Sequence, residues 1–333
     1  MAVSIRDVAA RAGVSFTTVS KVLNDRPGDR TAAETRRRVR QAAEELGYRP
    51  NAVAQSLRSR RTDIIGFYTG LISVDMNDPF QAAIFNGLQA GCQTHHKDLL
   101  IHRKFYGHSA EDVYKDLSNR KVDGIVLPAQ CDDVIIQRLV AASFPAVGIA
   151  APDAGLPSVY VDSPDGFRQV AAHLAAQGHK KVLYRTQRLD LLADIDDTRR
   201  RRTAFQEAAA QHGMEVVVSD SNEAGDMTER DEALLLGPRS QRPTAAACWN
   251  DRYAYQTVAF CRRHGLQVPG DLAVTGFDGF PPPLGLSFRL TTVFAPWEKS
   301  AFAAVGLVSA MTKGESVPGE TVLPVEMIPG DTA

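Results

Sequence analysis

Apolar positions in the first 48 residues recur at helical spacing three times. Ile5, Val8, Ala9 and Ala12 form one stripe, Val19, Val22 and Leu23 a second, and Val39, Ala42, Ala43 and Leu46 a third. Ser4 with Asp7 is a capping-box-like start for the first helix, and Gly13 suits the left-handed residue that ends it. Ser15 is a good N-cap for the second, with Thr18 helping to close its first turn. Thr31 with Glu34 predicts a capping box for the third helix, which Gly47 ends. Helix, glycine turn and short helix make a helix-turn-helix pattern, with which an ordinary αα-hairpin competes on spacing alone. The second helix shows Phe16, Thr17, Ser20, Lys21 and Asn24 opposite its apolar stripe, a small polar face that suits the DNA major groove.

A polar, turn-rich stretch at 25–30 separates the second helix from the third. After Pro50, Asn51 can cap a further short helix with Ala52, Val53, Ala54 and Leu57 on one side and Arg58, Arg60 and Arg61 behind. A helix this short is marginal in water and is expected to form only when paired and bound; a flexible basic linker is the alternative. From residue 63 the pattern changes to apolar runs alternating with helical segments. Strand candidates at 64–68, 98–102, 122–127, 146–149 and 159–162 enclose helices near 80–95, 110–119 and 132–142. Another helix, carrying Val170, Ala171 and Leu174, ends at Gly178. A second set runs from 181–184 through 215–218, 245–248 and 272–277 to strands near 291–294 and 321–327. Alternation of this kind predicts parallel sheets covered by helices. The expected architecture is therefore an all-α headpiece at 1–48, a hinge helix and linker at 49–62, and a two-lobed α/β core at 63–333. A ligand cleft is expected at the carboxyl ends of the strands.

Charge sharpens this division. Residues 1–61 hold 13 Lys and Arg against 6 Asp and Glu, a net of +7, whereas the rest of the chain holds 25 against 33, a net of −8. A basic head on an acidic body points to a nucleic-acid binder with a separate sensing domain. The four cysteines have no metal-ligand spacing and read as reduced thiols. No apolar run reaches the ~18 residues of a membrane span, and Arg6 and Asp7 stand where a signal peptide would need an apolar core. A cytoplasmic location is expected, which counts against an exported solute receptor. Phe80, Asp162, Arg201, Asn250 and Asp278 each fall at a strand end or helix start, and Trp249 adds an aromatic face. Together they supply donors and acceptors for a polyhydroxyl ligand. Asp123 reads as a turn cap. Asp190, Asp194, Asp196 and Asp197 could suggest an enzyme's carboxylate cluster, but in a charged segment leading to Arg199–Arg202 a solvated loop is the better reading.

Residues 4–62 resemble the headpiece and hinge of the lactose/galactose repressor (LacI/GalR) family. The resemblance rests on Ile5-Arg6-Asp7-Val8-Ala9, Ala12-Gly13-Val14-Ser15, Thr18-Val19-Ser20-Lys21-Val22-Leu23-Asn24, Glu45-Leu46-Gly47-Tyr48-Arg49-Pro50-Asn51 and Ala54-Gln55-Ser56-Leu57. It implies that Phe16, Thr17 and Lys21 read bases. Leu57 from each of two hinge helices would wedge into the minor groove, as apolar side chains can, with Asn51 and Ala54 in the same contact set. Ser15, Thr18, Ser20, Asn24 and Tyr48 would hold phosphates, which position without specifying sequence. The body resembles the family's core, which is similar to periplasmic sugar-binding proteins, through Asp78-Pro79-Phe80, Val122-Asp123-Gly124-Ile125, Asn250-Asp251, Gly276-Phe277-Asp278 and other motifs. This strengthens Arg201 and Asp278 as ligand contacts. The implied protein is a homodimeric repressor of a pseudo-palindromic operator, controlled by a sugar or sugar derivative (a nucleobase being the alternative) and needing no cofactor or metal. Departures from the family pattern are Ala204 and Gln256 where glycine is usual, an irregular segment at 70–78, Phe280-Pro281-Pro282-Pro283, and an end at 327–331 without the usual arginine. No apolar heptad tail follows, so a coiled-coil tetramer is not expected.

Overall fold

The computed structural model describes residues 3–24, 31–49, 51, 56, 59, 61–70, 74–128, 131–150, 152, 155–186, 196–219, 226–282, 285 and 287–333. Its contacts divide the chain into two units, residues 1–63 and 64–333.

The first unit holds helices α1 (Ile5–Ala12), α2 (Phe16–Leu23) and α3 (Ala33–Glu45). The cap of α1 forms as expected: the Ser4 hydroxyl and backbone N–H both donate to the Asp7 carboxylate, at 2.7 and 2.9 Å. Gly13, at φ +65°, ends the helix with its N–H on the Ala10 carbonyl. The three apolar stripes meet in a core of Val8, Ala9, Ala12, Val19, Val22, Val39, Ala42 and Ala43. The small size of these side chains lets the helices approach closely. Arg38 braces the arrangement by donating to the Ala12 carbonyl at 2.9 Å. The expected capping box of α3 does not form. Ala32 stands at the cap without a side-chain bond, and Glu34 instead accepts from Nε and Nη2 of Arg37 at 3.0 and 2.8 Å. A two-pronged bond to a guanidinium one turn away outcompetes the backbone cap for that carboxylate.

The second unit contains two six-stranded sheets. Its first five strands are β1 (Ile64–Tyr68), β2 (Asp98–His102), β3 (Gly124–Pro128), β4 (Ala146–Ile149) and β5 (Ser158–Val161). Between them run α4 (Pro79–Thr94), α5 (Ala110–Ser118) and α6 (Asp133–Ala141). After β5 come α7 (Ser163–Ala176), β6 (Lys181–Arg185), α8 (Asp196–Gln211), β7 (Glu215–Val218), α9 (Glu229–Leu236), β8 (Ala245–Cys248), α10 (Asp251–Arg263), β9 (Ala273–Asp278) and β10 (Thr291–Phe294). The chain ends with α11 (Trp297–Met311), β11 (Glu320–Leu323) and β12 (Glu326–Ile328). The sheet orders are β11-β5-β4-β3-β1-β2 and β12-β10-β9-β8-β6-β7. Among the described residues every pairing is parallel except that of β10 with β12.

Strand and helix positions agree with the sequence pattern; their distribution between lobes does not follow chain order. Helix α7 was expected to close the first set, yet it packs on α8 in the second lobe, while α11 returns to pack along α4 and β11 pairs with β5 in the first. The chain therefore crosses between lobes three times, after β5, β10 and β11. An amphipathic pattern states which face of a helix is buried, not which sheet buries it. One apolar cluster, including Ile65, Leu88, Val161, Phe167, Phe205 and Phe277, runs through both lobes. Asp123 is no simple turn cap: it pairs with Lys97 at 3.5 Å, both side chains being 8% exposed. The four cysteines are free thiols, all but Cys131 buried. Among the described residues no helix is long and apolar enough to cross a membrane, and no cluster of potential metal ligands occurs.

Gly87 sets the approach of α4 to α11, since a Cβ there would lie 2.1 Å from the Glu298 carbonyl oxygen and 2.7 Å from Ala301 Cβ. Gly87→Ala is expected to destabilise the 64–333 unit by about 1–3 kcal/mol, as overpacking against backbone does; thermal unfolding of the purified variant measures it.

Candidate nucleic-acid interface and ligand cleft

Helix α2 is held rigidly at its start. The Ser15 hydroxyl accepts the Thr18 N–H at 3.2 Å, and it shares hydroxyl bonds with Thr17 at 2.7 Å and Thr18 at 2.9 Å. Val19, Ser20 and Val22 lie on the buried side of α2, Val19 and Val22 in the headpiece core, which leaves Phe16, Thr17 and Lys21 on the outer side. Phe16 is 57% exposed, and Thr17 and Lys21 are exposed with it. Ser20 lies on the buried side, and the Asn24 carboxamide donates to its carbonyl at 2.6 Å. Tyr48 packs its ring against the headpiece core. The structure thus places Ser15, Phe16, Thr17 and Thr18 at the start of α2 and Lys21, exposed one turn beyond Thr17, in its last turn. Asn51 is exposed. Ala54 and Leu57 lie outside the described residues.

In the second unit, four of the six cleft candidates converge on one point. Arg201, 4% exposed, donates from Nη1 to the Trp249 carbonyl at 3.1 Å and pairs through Nε with Asp197 at 2.8 Å. Its guanidinium lies 4.4 Å from the centre of the Phe277 ring and 5.8 Å from those of Trp249 and Trp297. Trp297 connects the remaining members. Its indole N–H donates to Asp278 at 3.0 Å, and its ring meets Phe80 edge to face at 5.0 Å. Phe277 in turn stacks on Phe167 at 5.2 Å. The buried indole N–H of Trp249 has no hydrogen-bond partner among the described residues. Asp162 and Asn250 do not join this cluster. Each accepts the N–H three residues on, from Asp165 at 3.0 Å and Tyr253 at 3.0 Å, and so caps α7 and α10. Asp190 and Asp194 fall outside the described residues.

Two buried acids give the cleft its electrostatic character. Asp278 ends β9 at φ +119°, a conformation that costs a non-glycine residue about 1–3 kcal/mol. Burial, reinforced by the charge of Asp251, holds its carboxyl well above the usual range, and Arg201 and the Trp297 bond oppose this only in part. Asp251 is 1% exposed and accepts from the Thr292 hydroxyl and, at 2.7 Å, from the Phe280 N–H. Burial pushes it up to about 7 despite these bonds. Beside them, a cavity of about 660 Å³ opens between α4, the 278–281 turn and the start of α11, with Asn86, Phe294, Lys299 and Phe302 in its lining.

A capped helix with an outward aromatic and basic face, in one chain with a two-lobed α/β core that holds a buried polar-aromatic cluster, defines a DNA-binding regulator with a ligand-sensing body. Residues 4–51 match the bacterial regulatory proteins of the lacI family, and residues 171–333 match a periplasmic binding protein-like domain. The HTH-type transcriptional repressor PurR of Aliivibrio fischeri (strain MJ11) is 30% identical over 318 residues, 92% of this chain and 90% of that protein. The transcriptional regulator GalR of Escherichia coli (strain K12) is 29% identical, over 95% of this chain and 91% of its own. In structure, the lac repressor dimer bound to operator and the anti-inducer ONPF superposes with a TM-score of 0.82 at 23% identity, over 100% of this chain and 99% of that one. The CelR–cellobiose complex gives 0.66 at 24% identity, over 99% and 100%. The chain belongs to the lacI family of bacterial regulatory proteins, and it is a DNA-binding transcription regulator.

Sequence reasoning overlooked three members of the cleft. Asp251 was visible only as the neighbour of Asn250, Trp297 as an isolated aromatic after a proline, and Asp197 as part of a charge run. The spacing of Asp197 and Arg201, one helical turn apart, was the single local clue. Asp251 also yields a pH test. The unfolded chain ionises it near 3.8 and the folded chain near 7. The folded state therefore holds more protons between those values, and this contribution to stability is lost as pH rises through them. Asp251→Asn is expected to destabilise the 64–333 unit at about pH 5.5, because an amide nitrogen cannot accept a bond from Thr292 or Phe280. That deficit is expected to shrink by on the order of 1–2 kcal/mol at about pH 7.5, read from paired thermal melts of variant and wild type.

Proposed function

We propose that the protein is a cytoplasmic, homodimeric repressor that reads a pseudo-palindromic operator through α2 and releases or tightens on it when a small polyhydroxyl effector enters the cleft. One observation carries the DNA half: Phe16, Thr17 and Lys21 are exposed side by side on a helix whose start is fixed by three hydroxyl contacts and whose other side is core. Short side chains on a rigid helix can reach base edges at a defined depth in the major groove. The basic balance of residues 1–61 supplies phosphate attraction. Two copies are needed for a two-fold site.

The ligand half rests on the Arg201 cluster. It offers aromatic faces, a free indole N–H and carboxyl oxygens, the mixture that recognises hydroxyl-rich rings. A ligand bound there would favour one relative position of the lobes, and three chain crossings would pass that preference to the hinge.

Selection of duplexes from a random pool by the full chain is expected to return a two-fold symmetric sequence, and recovery of no sequence above background overturns the reading. Phe16→Ala and Thr17→Ala are expected to shift the selected sequence at the centre of each half-site. Loss at one base pair should amount to about 1–3 kcal/mol, measured by fluorescence anisotropy against matched and mismatched duplexes.

A further inference from the structure

The contacts of Arg201 say which ligands the cleft refuses. A guanidinium captures a phosphate or carboxylate best through a fork of parallel N–H groups along one edge. In this protein the Asp197 carboxylate is ion-paired to Nε at 2.8 Å, Nη1 donates to the Trp249 carbonyl at 3.1 Å, and Phe277 lies against the guanidinium, its ring centre 4.4 Å away. The Asp197 and Arg201 side chains are 15% and 5% exposed, so this is not a solvated pair that a ligand could open at little cost. The Asp278 carboxyl lies in the same cluster through Trp297. An anion approaching Arg201 would have to displace Asp197 or sit beside it, and a like charge at such distances is strongly unfavourable in a buried site. A hydroxyl-bearing neutral ligand meets no such opposition, because carboxylate oxygens keep lone pairs for it.

We propose that Asp197 is the specificity-determining residue of the cleft: by neutralising Arg201 it restricts the effector to uncharged polyhydroxylated molecules and excludes their phosphorylated and carboxylated counterparts. The inference rests on the cleft being the effector site, and it assigns a role to a residue that in the sequence alone looks like part of a surface charge run.

The chain has two tryptophans, Trp249 and Trp297, and both flank Arg201, so intrinsic fluorescence reports on this point and little else. The full chain is titrated with neutral sugars, with the 6-phosphates and uronic acids of the same sugars, and with inorganic phosphate. Asp197→Asn and Asp197→Ser are taken through the same series, with operator binding and circular dichroism confirming that each is folded. For the wild type, no anionic compound is expected to change the fluorescence more tightly than its neutral parent. Both variants are expected to gain at least about tenfold in apparent affinity for inorganic phosphate, the size of change that removing one close like charge brings. Wild-type protein that prefers a sugar phosphate or uronate to the parent sugar overturns the proposal. So does a folded variant whose phosphate titration matches that of the wild type. Failure of the regulator reading would appear separately, as absence of sequence preference in the DNA selection, and would leave these titrations readable.

Discussion

The junction of the two lobes is built around a buried cation, Arg201. A guanidinium 4% exposed has lost most of its hydration, and it persists only because compensating groups surround it. Those groups come from separate places in the chain: Asp197 from the same turn of α8, the Trp249 carbonyl from the end of β8, the Phe277 ring from β9, and Trp297 from the start of α11. Strands that end side by side in one sheet deliver the carbonyl and the ring. The helix that belongs to the other lobe delivers the indole. The cation thus stands where the lobes meet and is answered by residues of both.

The acids beside it follow from the same constraint. Asp278 is nearly dry and Arg201 is shared with Asp197, so burial, reinforced by its neighbour Asp251, holds its carboxyl well above the usual carboxylate range. The left-handed backbone at Asp278 directs its carboxyl toward the Trp297 indole and its carbonyl toward the Ala295 N–H at 3.1 Å. Strain, desolvation and charge are concentrated within a few residues of the strand end. A ligand that replaces some of these contacts can shift the balance between lobe positions, since each is individually worth only a few kcal/mol.

The headpiece shows the opposite economy. Its core is built from valine and alanine, its helix ends are held by neighbouring residues, and its reading face is set by the helical period. This is why it was legible. Ser4, Asp7, Gly13 and Ser15 act on groups within a few positions of themselves, and the structure places all four in the expected roles. The exception is instructive. Thr31 and Glu34 satisfy the capping-box spacing as well as Ser4 and Asp7 do, but Arg37 also lies within reach of Glu34 and takes it. A local rule holds until a second local partner offers more.

The sequence by itself determined the elements, their order, the parallel α/β class of the core and the exposed polar and aromatic face of α2, because these depend on periodicity and on caps that span a single turn. It also picked out Phe80, Arg201, Trp249 and Asp278, which the structure brings together, although Arg201 sits in the second turn of α8 and not at its start. Only the tertiary structure decided that α7, α11 and β11 change lobes, and that Asp162 and Asn250 cap helices instead of joining the cluster. It alone brought Asp197, Asp251 and Trp297 into the cleft. Burial and partnership arise between residues tens to more than a hundred positions apart, and no pattern within one segment records which distant group will arrive beside it.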